Sequence, residues 1–144
     1  MIMSEAHTKV LILDYGSQYT QLIARRLREL NVYSFVLPGD TTLDKIKSFS
    51  PNAIIMSGGP SSVYEEGAPA LPTGLMDYQK EKHLPMLGVC YGMQLLVQHF
   101  GGKIEAATER EYGRMEIIPE KGSAFFSFDR SSPNFEVWMS HGDE

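Results

Sequence analysis

The stretch Pro85-Met86-Leu87-Gly88-Val89-Cys90-Tyr91-Gly92-Met93-Gln94, running on through Leu95-Leu96-Val97-Gln98-His99-Phe100 to Gly101-Gly102, decides how the chain is read. Pro85–Val89 is a short apolar run of the kind that forms a buried strand. Tyr91–Phe100 reads as a helix that the glycine pair ends. Between them stands Cys90, with glycine two residues before it and two after. Small residues at those places let a strand turn straight into a helix, which lifts the intervening side chain above the C-terminal edge of a sheet. This Gly-x-Cys-x-Gly pattern is a nucleophile elbow with cysteine in place of serine. A helix N-terminus beneath it favours a thiolate, and the amide N–H of Tyr91 points to where an oxyanion would develop. The plain alternative is a core cysteine beside glycines that merely turn the chain.

Working towards the N-terminus, the same alternation recurs. Lys9–Tyr15 is a continuous apolar strand broken by Gly16-Ser17. A helix over Gln18–Leu30 follows, with Leu22, Ile23, Leu27 and Leu30 at helical spacing and Ser17 as its N-cap. Tyr33–Leu37 is a second strand and Thr42–Phe49 a short helix with Leu43, Ile46 and Phe49 inward. Asn52–Ser57 is a third strand ending on Gly58-Gly59-Pro60, Ser61–Pro72 a surface loop, and Leu75–Lys82 a helix. The order βαβαβαβα predicts a parallel sheet covered by helices. Gly58-Gly59 then shares the C-terminal sheet edge with Cys90, where a glycine N–H could approach an oxyanion. The same Ser57–Ser62 segment resembles a pyrophosphate-binding loop, but Ser62 stands where that loop needs Asp, and Pro60 removes an amide donor.

Beyond Lys103 the pattern changes. Lys103–Pro119 alternates around charges like exposed antiparallel strand. Phe125–Phe128 and Phe135–Met139 are short apolar stretches, and Ser140-His141-Gly142-Asp143-Glu144 comes directly after a strand, with a polar turn as the plain alternative for Ser140–Asp143. The end of the chain there, with no closing helix, suggests a piece of a larger protein.

The 144 residues are 42% apolar and 22% charged, enough for one packed domain. A net charge of −5 with no basic cluster argues against a nucleic-acid binder. No apolar run could span a bilayer, and the N-terminus lacks a signal core, so no membrane partner is expected and the setting is read as cytoplasmic. A single cysteine excludes an intramolecular disulfide and any multi-thiolate metal site.

A cysteine acyl-transfer site calls for a histidine within hydrogen-bond reach. His7 and His83 precede strands and fall at the opposite edge, roughly 15–20 Å away by strand rise. His99 lies about 13 Å along the elbow helix. Only His141, at a strand end, could reach Cys90.

Four segments, Asp14-Tyr15-Gly16-Ser17-Gln18-Tyr19-Thr20-Gln21, Ser57-Gly58-Gly59-Pro60, Gly88–Gln94 and Val137-Trp138-Met139-Ser140-His141-Gly142-Asp143, resemble the class I glutamine amidotransferases in order along the chain. The resemblance runs from about Lys9 to Asp143, so that 9–144 would be the domain, incomplete at its C-terminus, and 1–8 a tail. It implies an α/β, flavodoxin-like, three-layer fold with a mostly parallel sheet and helices on both faces. It also implies that Cys90 attacks the side-chain amide of glutamine, releases ammonia and leaves a glutamyl thioester for water.

Gly59 and Tyr91 would supply oxyanion amides, while Gly58, Gln94, Ser140, His141, Gly142 and Asp143 would shape the substrate pocket. Without the resemblance, Gln94 reads equally as a solvated helix residue. Tyr91, the DYGSQYTQLIARR segment and VWMSHGD point, within the family, to the branch that aminates XMP. That branch implies an ATP-pyrophosphatase synthetase domain or subunit using ATP and Mg, a homodimeric parent, and no cofactor or metal in this domain. The family's base and its orienting acid sit in a His-Pro-Glu motif, and this sequence has no His-Pro dipeptide. Two other readings stand beside this one: a non-catalytic binding or regulatory module that keeps the fold, and an unrelated cysteine hydrolase with the same elbow.

Overall fold

Four apolar runs, each short and flanked by turn residues, pair into one parallel sheet in the computed structural model, which describes residues 8–59, 66–104, 106–117 and 135–143. They are β1 (Lys9–Asp14), β2 (Tyr33–Pro38), β3 (Ala53–Met56) and β4 (Met86–Gly88), in the spatial order β2-β1-β3-β4. Helices α1 (Thr20–Glu29), α2 (Leu43–Phe49), α3 (Leu75–Lys82) and α4 (Tyr91–His99) alternate with them. The central β1 registers Val10 against Ser34 and Ala53, and Leu11 against Phe35 and Ile54. Because side chains alternate along a strand, these registers divide the residues between two faces. Leu11, Leu13, Leu37, Ile54 and Met56 pack with Ile46 of α2 and with Leu75 and Tyr78 of α3. The Phe35 and Phe49 rings stack there at 4.3 Å. Val10, Ile12 and Ser34 face the other way, and the buried Ser34 hydroxyl donates to the Ala24 carbonyl of α1. Helices therefore cover both faces, as expected.

Several local expectations are corrected. The inward stripe of α1 runs through buried Thr20 and Ala24 and half-buried Ile23 and Leu27, whereas Leu22 and Leu30 are exposed. Thr20 and Ala24 are small, and the Ala24 carbonyl accepts the Ser34 hydroxyl of β2. Ser17 is not the N-cap of α1. Tyr19 holds that position without a side-chain bond, and the Ser17 hydroxyl accepts from the Tyr19 N–H instead. Strand β4 is not buried on both faces, since Leu87 is 39% exposed on the strand at the end of the four-stranded order. The Ser61–Pro72 loop is not wholly at the surface: Pro72 is buried, and Ala68 and Leu71 pack on the core.

Gly101 ends α4 as expected. At φ 83° it carries the left-handed turn that lets Gly102 N–H reach Val97 O at 2.8 Å and its own N–H reach Gln98 O at 3.1 Å.

Residues 104–144 form a separate unit. In it β5 (Ala106–Ile117) and β6 (Phe135–Asp143) pair antiparallel, with an irregularity in the register between Ala106 and Glu111. The antiparallel reading of Lys103–Pro119 therefore holds over Ala106–Ile117, and Ser140–Asp143 belong to a strand rather than to the polar turn that is their plain alternative. Ser140 pairs with Tyr112, His141 with Glu111 and Asp143 with Ala106, because β5 is long enough to carry its ladder past the apolar part of β6. The Phe125–Phe128 stretch lies outside the described residues.

Candidate active site

Cys90, the second of the two residues between β4 and α4, has φ 52° and ψ −115°, a conformation that L side chains rarely adopt. Holding it costs about 1–3 kcal/mol, which the surrounding bonds must offset. Val89 N–H donates to Met56 O of β3 at 2.9 Å, Gly92 N–H to Val89 O at 3.0 Å, and Gln94 N–H to Cys90 O at 3.1 Å. The flanking glycines are needed for this fold-back. A Cβ on Gly92 would stand 2.2 Å from Met56 O, and one on Gly88 would stand 2.7 Å from the Met93 backbone. The elbow thus presses its helix against β3 and leaves the thiol exposed.

The Gly58-Gly59 turn lies between that thiol and the end of β1. A Cβ on Gly58 would meet Cys90 Cβ at 3.0 Å and Sγ at 3.7 Å, and one on Gly59 would overlap Tyr15 O at 2.0 Å. Only residues without a side chain pass through so narrow a gap. Between β1 and β3 the strand order reverses, and ligand crevices form outside the carboxyl ends of strands at such a reversal. A cleft of about 340 Å³ lies there, lined by Gly16, Ser17, Gln18, Tyr19, Gly58, Gly59 and Cys90.

The wall made by Gly16–Tyr19 had no assigned role in the sequence. The available signal was its position after β1, next to β3 in the sheet.

Beneath the cleft, Tyr91 is buried, its hydroxyl donates to Pro69 O, and its ring lies 5.4 Å from that of Tyr15. Tyr15 is held protonated well above the usual tyrosine range, first by burial and then by the neighbouring Tyr91. Gln94 is 7% exposed, so it is not the solvated helix residue that its polarity alone would suggest. A polar chain runs behind both walls. Asp14 Oδ1 accepts from Gly16 N–H at 2.8 Å and from the Thr20 hydroxyl at 3.1 Å. Thr20 Oγ1 lies 2.9 Å from Ser57 Oγ, which is also 3.0 Å from Leu13 O.

The structure thus brings Gly58, Gly59, Cys90 and Tyr91 together, with Gln94 one turn along α4. Ser140, His141, Gly142 and Asp143 lie in β6 of the other unit. His83 caps α3 ahead of β4, at the opposite end of the sheet from Cys90, and His99 ends α4. Among the described residues no group of three or more His, Cys, Asp or Glu could hold a metal, and no helix is long and apolar enough to cross a membrane.

A doubly covered parallel sheet with a cysteine elbow beside a glycine turn is the arrangement the family resemblance implies. The family model for class I glutamine amidotransferases matches residues 11–144, and the chain belongs to that family. Its relatives are more specific. It is 57% identical over 136 residues to the glutamine-hydrolysing GMP synthase of Brachyspira hyodysenteriae, covering 94% of this chain and 25% of that protein. It is 48% identical over 142 residues to the GMP synthase of Bacillus mycoides, covering 98% and 26%. The chain therefore spans about a quarter of the length of the curated relatives it matches. Among solved structures, a Thermoplasma acidophilum protein provisionally assigned as a GMP synthase subunit superposes with a TM-score of 0.77 at 27% identity, covering 97% of this chain and 67% of that one.

Proposed function

We propose that this chain is the glutaminase domain of a GMP synthase, and that Cys90 supplies ammonia from glutamine for the amination of XMP. The observation that carries this reading is the strained Cys90 elbow set against the Gly58-Gly59 turn, both lining one open cleft. Cys90 Sγ adds to the amide carbonyl of glutamine, and the oxygen that becomes negative accepts hydrogen bonds from the amides of Gly59 and Tyr91. Each such donor is worth about 3 kcal/mol in a preorganised site. The C–N bond then breaks, nitrogen leaves with an added proton as ammonia, and water hydrolyses the γ-glutamyl thioester to glutamate. Gly58 and Gln94 shape the pocket for the amino-acid end of the substrate, and the family resemblance also assigns substrate binding to Ser140, His141, Gly142 and Asp143.

ATP and Mg act, in this reading, in an ATP-pyrophosphatase synthetase portion that activates XMP. The working parent is a cytoplasmic homodimer. The deciding experiment uses the protein together with that synthetase portion. Cys90→Ala should abolish GMP synthesis from glutamine and leave synthesis from added ammonia intact. Loss of both in a folded variant would refute this division of labour.

A further inference from the structure

The two walls of the cleft come from different strands, yet one chain of polar atoms, buried at Thr20 and Ser57, joins them. Asp14, the last residue of β1, fixes one wall through the Gly16 N–H. Its same oxygen accepts from Thr20 in the first turn of α1, and Thr20 Oγ1 meets Ser57 Oγ, one residue ahead of Gly58-Gly59. Thr20 is 1% exposed and Ser57 is fully buried, so water cannot replace the bond between them, while the Asp14 end of the chain is only partly buried. Each hydroxyl carries one proton. Thr20 gives its proton to the Asp14 carboxylate, so the Ser57 proton is shared between Thr20 Oγ1 and Leu13 O. Leu13 O also accepts from the Ser57 N–H at 3.0 Å, which clamps Ser57 to β1 by backbone as well as side chain. A sheet of this kind needs no hydroxyls to pack at the reversal of strand order. Two of them, buried in line between a carboxylate and a glycine turn that touches the nucleophile, are unexplained by the fold alone.

We propose that Asp14, Thr20 and Ser57 are positioning residues that set the Gly58-Gly59 turn over Cys90 for attack on a carboxamide. The inference rests on the glutaminase reading. The chain acts on the oxyanion side of the reaction and leaves the thiol itself untouched, since none of its hydrogen bonds is made to Cys90. Displacement of a donor by a fraction of an ångström slows the step that uses it, while a reagent that needs no oxyanion stabilisation reacts as before.

The test compares two labels on Cys90 of this chain. A chloromethyl ketone analogue of glutamine places its carbonyl where the amide carbonyl would sit, whereas iodoacetamide needs no donor. The isosteric Thr20→Val and the single-oxygen deletion Ser57→Ala should slow labelling by the ketone on the order of 10-fold or more, and leave iodoacetamide within about 2-fold. Thr20→Ser, which keeps the hydroxyl, should label like the parent chain and serves as the folded control. If both labels slow together in Thr20→Val and Ser57→Ala, the network only holds the fold and the proposal is overturned. Unchanged ketone labelling in these variants, with saturation kept in the parent chain, overturns the positioning role alone. Ketone labelling that never saturates in the parent chain overturns the glutaminase reading and the proposal with it.

Discussion

The rings of Tyr15 and Tyr91 meet at 5.4 Å and 57°, and their hydroxyls have opposite fates. Tyr91 donates to Pro69 O and so ties the loop before α3 to the elbow helix. The buried Tyr15 hydroxyl finds no hydrogen-bond partner among the described residues. A buried hydroxyl left unpaired costs about 1–3 kcal/mol, so Tyr15→Phe is expected to leave stability unchanged or raise it by about 1 kcal/mol.

The same substitution has a signature in alkali. Tyr15 ionises near 10.0 when unfolded and well above that when folded, because burial and then Tyr91 disfavour the phenolate. The folded state therefore holds its proton where the unfolded state has lost it, and stability falls as pH rises above about 10, by up to about 1.4 kcal/mol per unit. Urea unfolding of the parent chain and of Tyr15→Phe, at neutral pH and in alkali, should show that part of the loss missing from the variant.

Backbone strain at Cys90 gives a second expectation. Its φ of 52° with ψ of −115° is a region that glycine enters freely. Cys90→Gly should be more stable than Cys90→Ala by about 1 kcal/mol, since alanine retains the strain. Equal midpoints for the two variants in urea would show that the elbow stores no such strain.

Gly92 is expected to be intolerant. A methyl group there would lie 2.2 Å from Met56 O, a backbone atom in the middle of the sheet that cannot swing aside. Gly92→Ala should cost more than about 2 kcal/mol, and it should displace the elbow from β3. Thermal unfolding together with iodoacetamide labelling of Cys90 would read both effects.

The order of elements and the elbow were legible because each strand is a short apolar run closed by glycine or proline, and Gly88 and Gly92 bracket Cys90. Two things were not. Composition carries no trace of which residues of α1 face the sheet, since Leu22 and Thr20 exchange the roles that hydropathy would give them. The Asp14–Thr20–Ser57 chain was hidden because it joins residues up to 43 positions apart, which only the β1–β3 register brings together. The polarity of Ser140–Asp143 likewise masked a strand that depends on its partner for pairing.

Glutamine turnover by the 144-residue chain alone is expected to be negligible. His83 lies at the opposite end of the sheet from Cys90, and His99 is about 13 Å along α4. The family resemblance puts the base in a His-Pro-Glu motif that this sequence lacks. Positioned acid–base catalysis is worth on the order of 10²–10⁴-fold, and a longer polypeptide carrying that motif should recover it. Equal ammonia release by the two would make a residue such as His141 the base.

The most direct measurement follows the rate of Cys90 alkylation by iodoacetamide as L-glutamine is added to the folded chain. Cys90 lines the same cleft as Gly16–Tyr19 and Gly58-Gly59, so a substrate bound there for attack by Cys90 would cover the thiol. The rate should fall along a saturating curve, and L-asparagine, one methylene shorter, should not reproduce it. An alkylation rate indifferent to glutamine, in a chain whose thiol remains reactive, would contradict the assignment of Cys90 as the glutamine nucleophile.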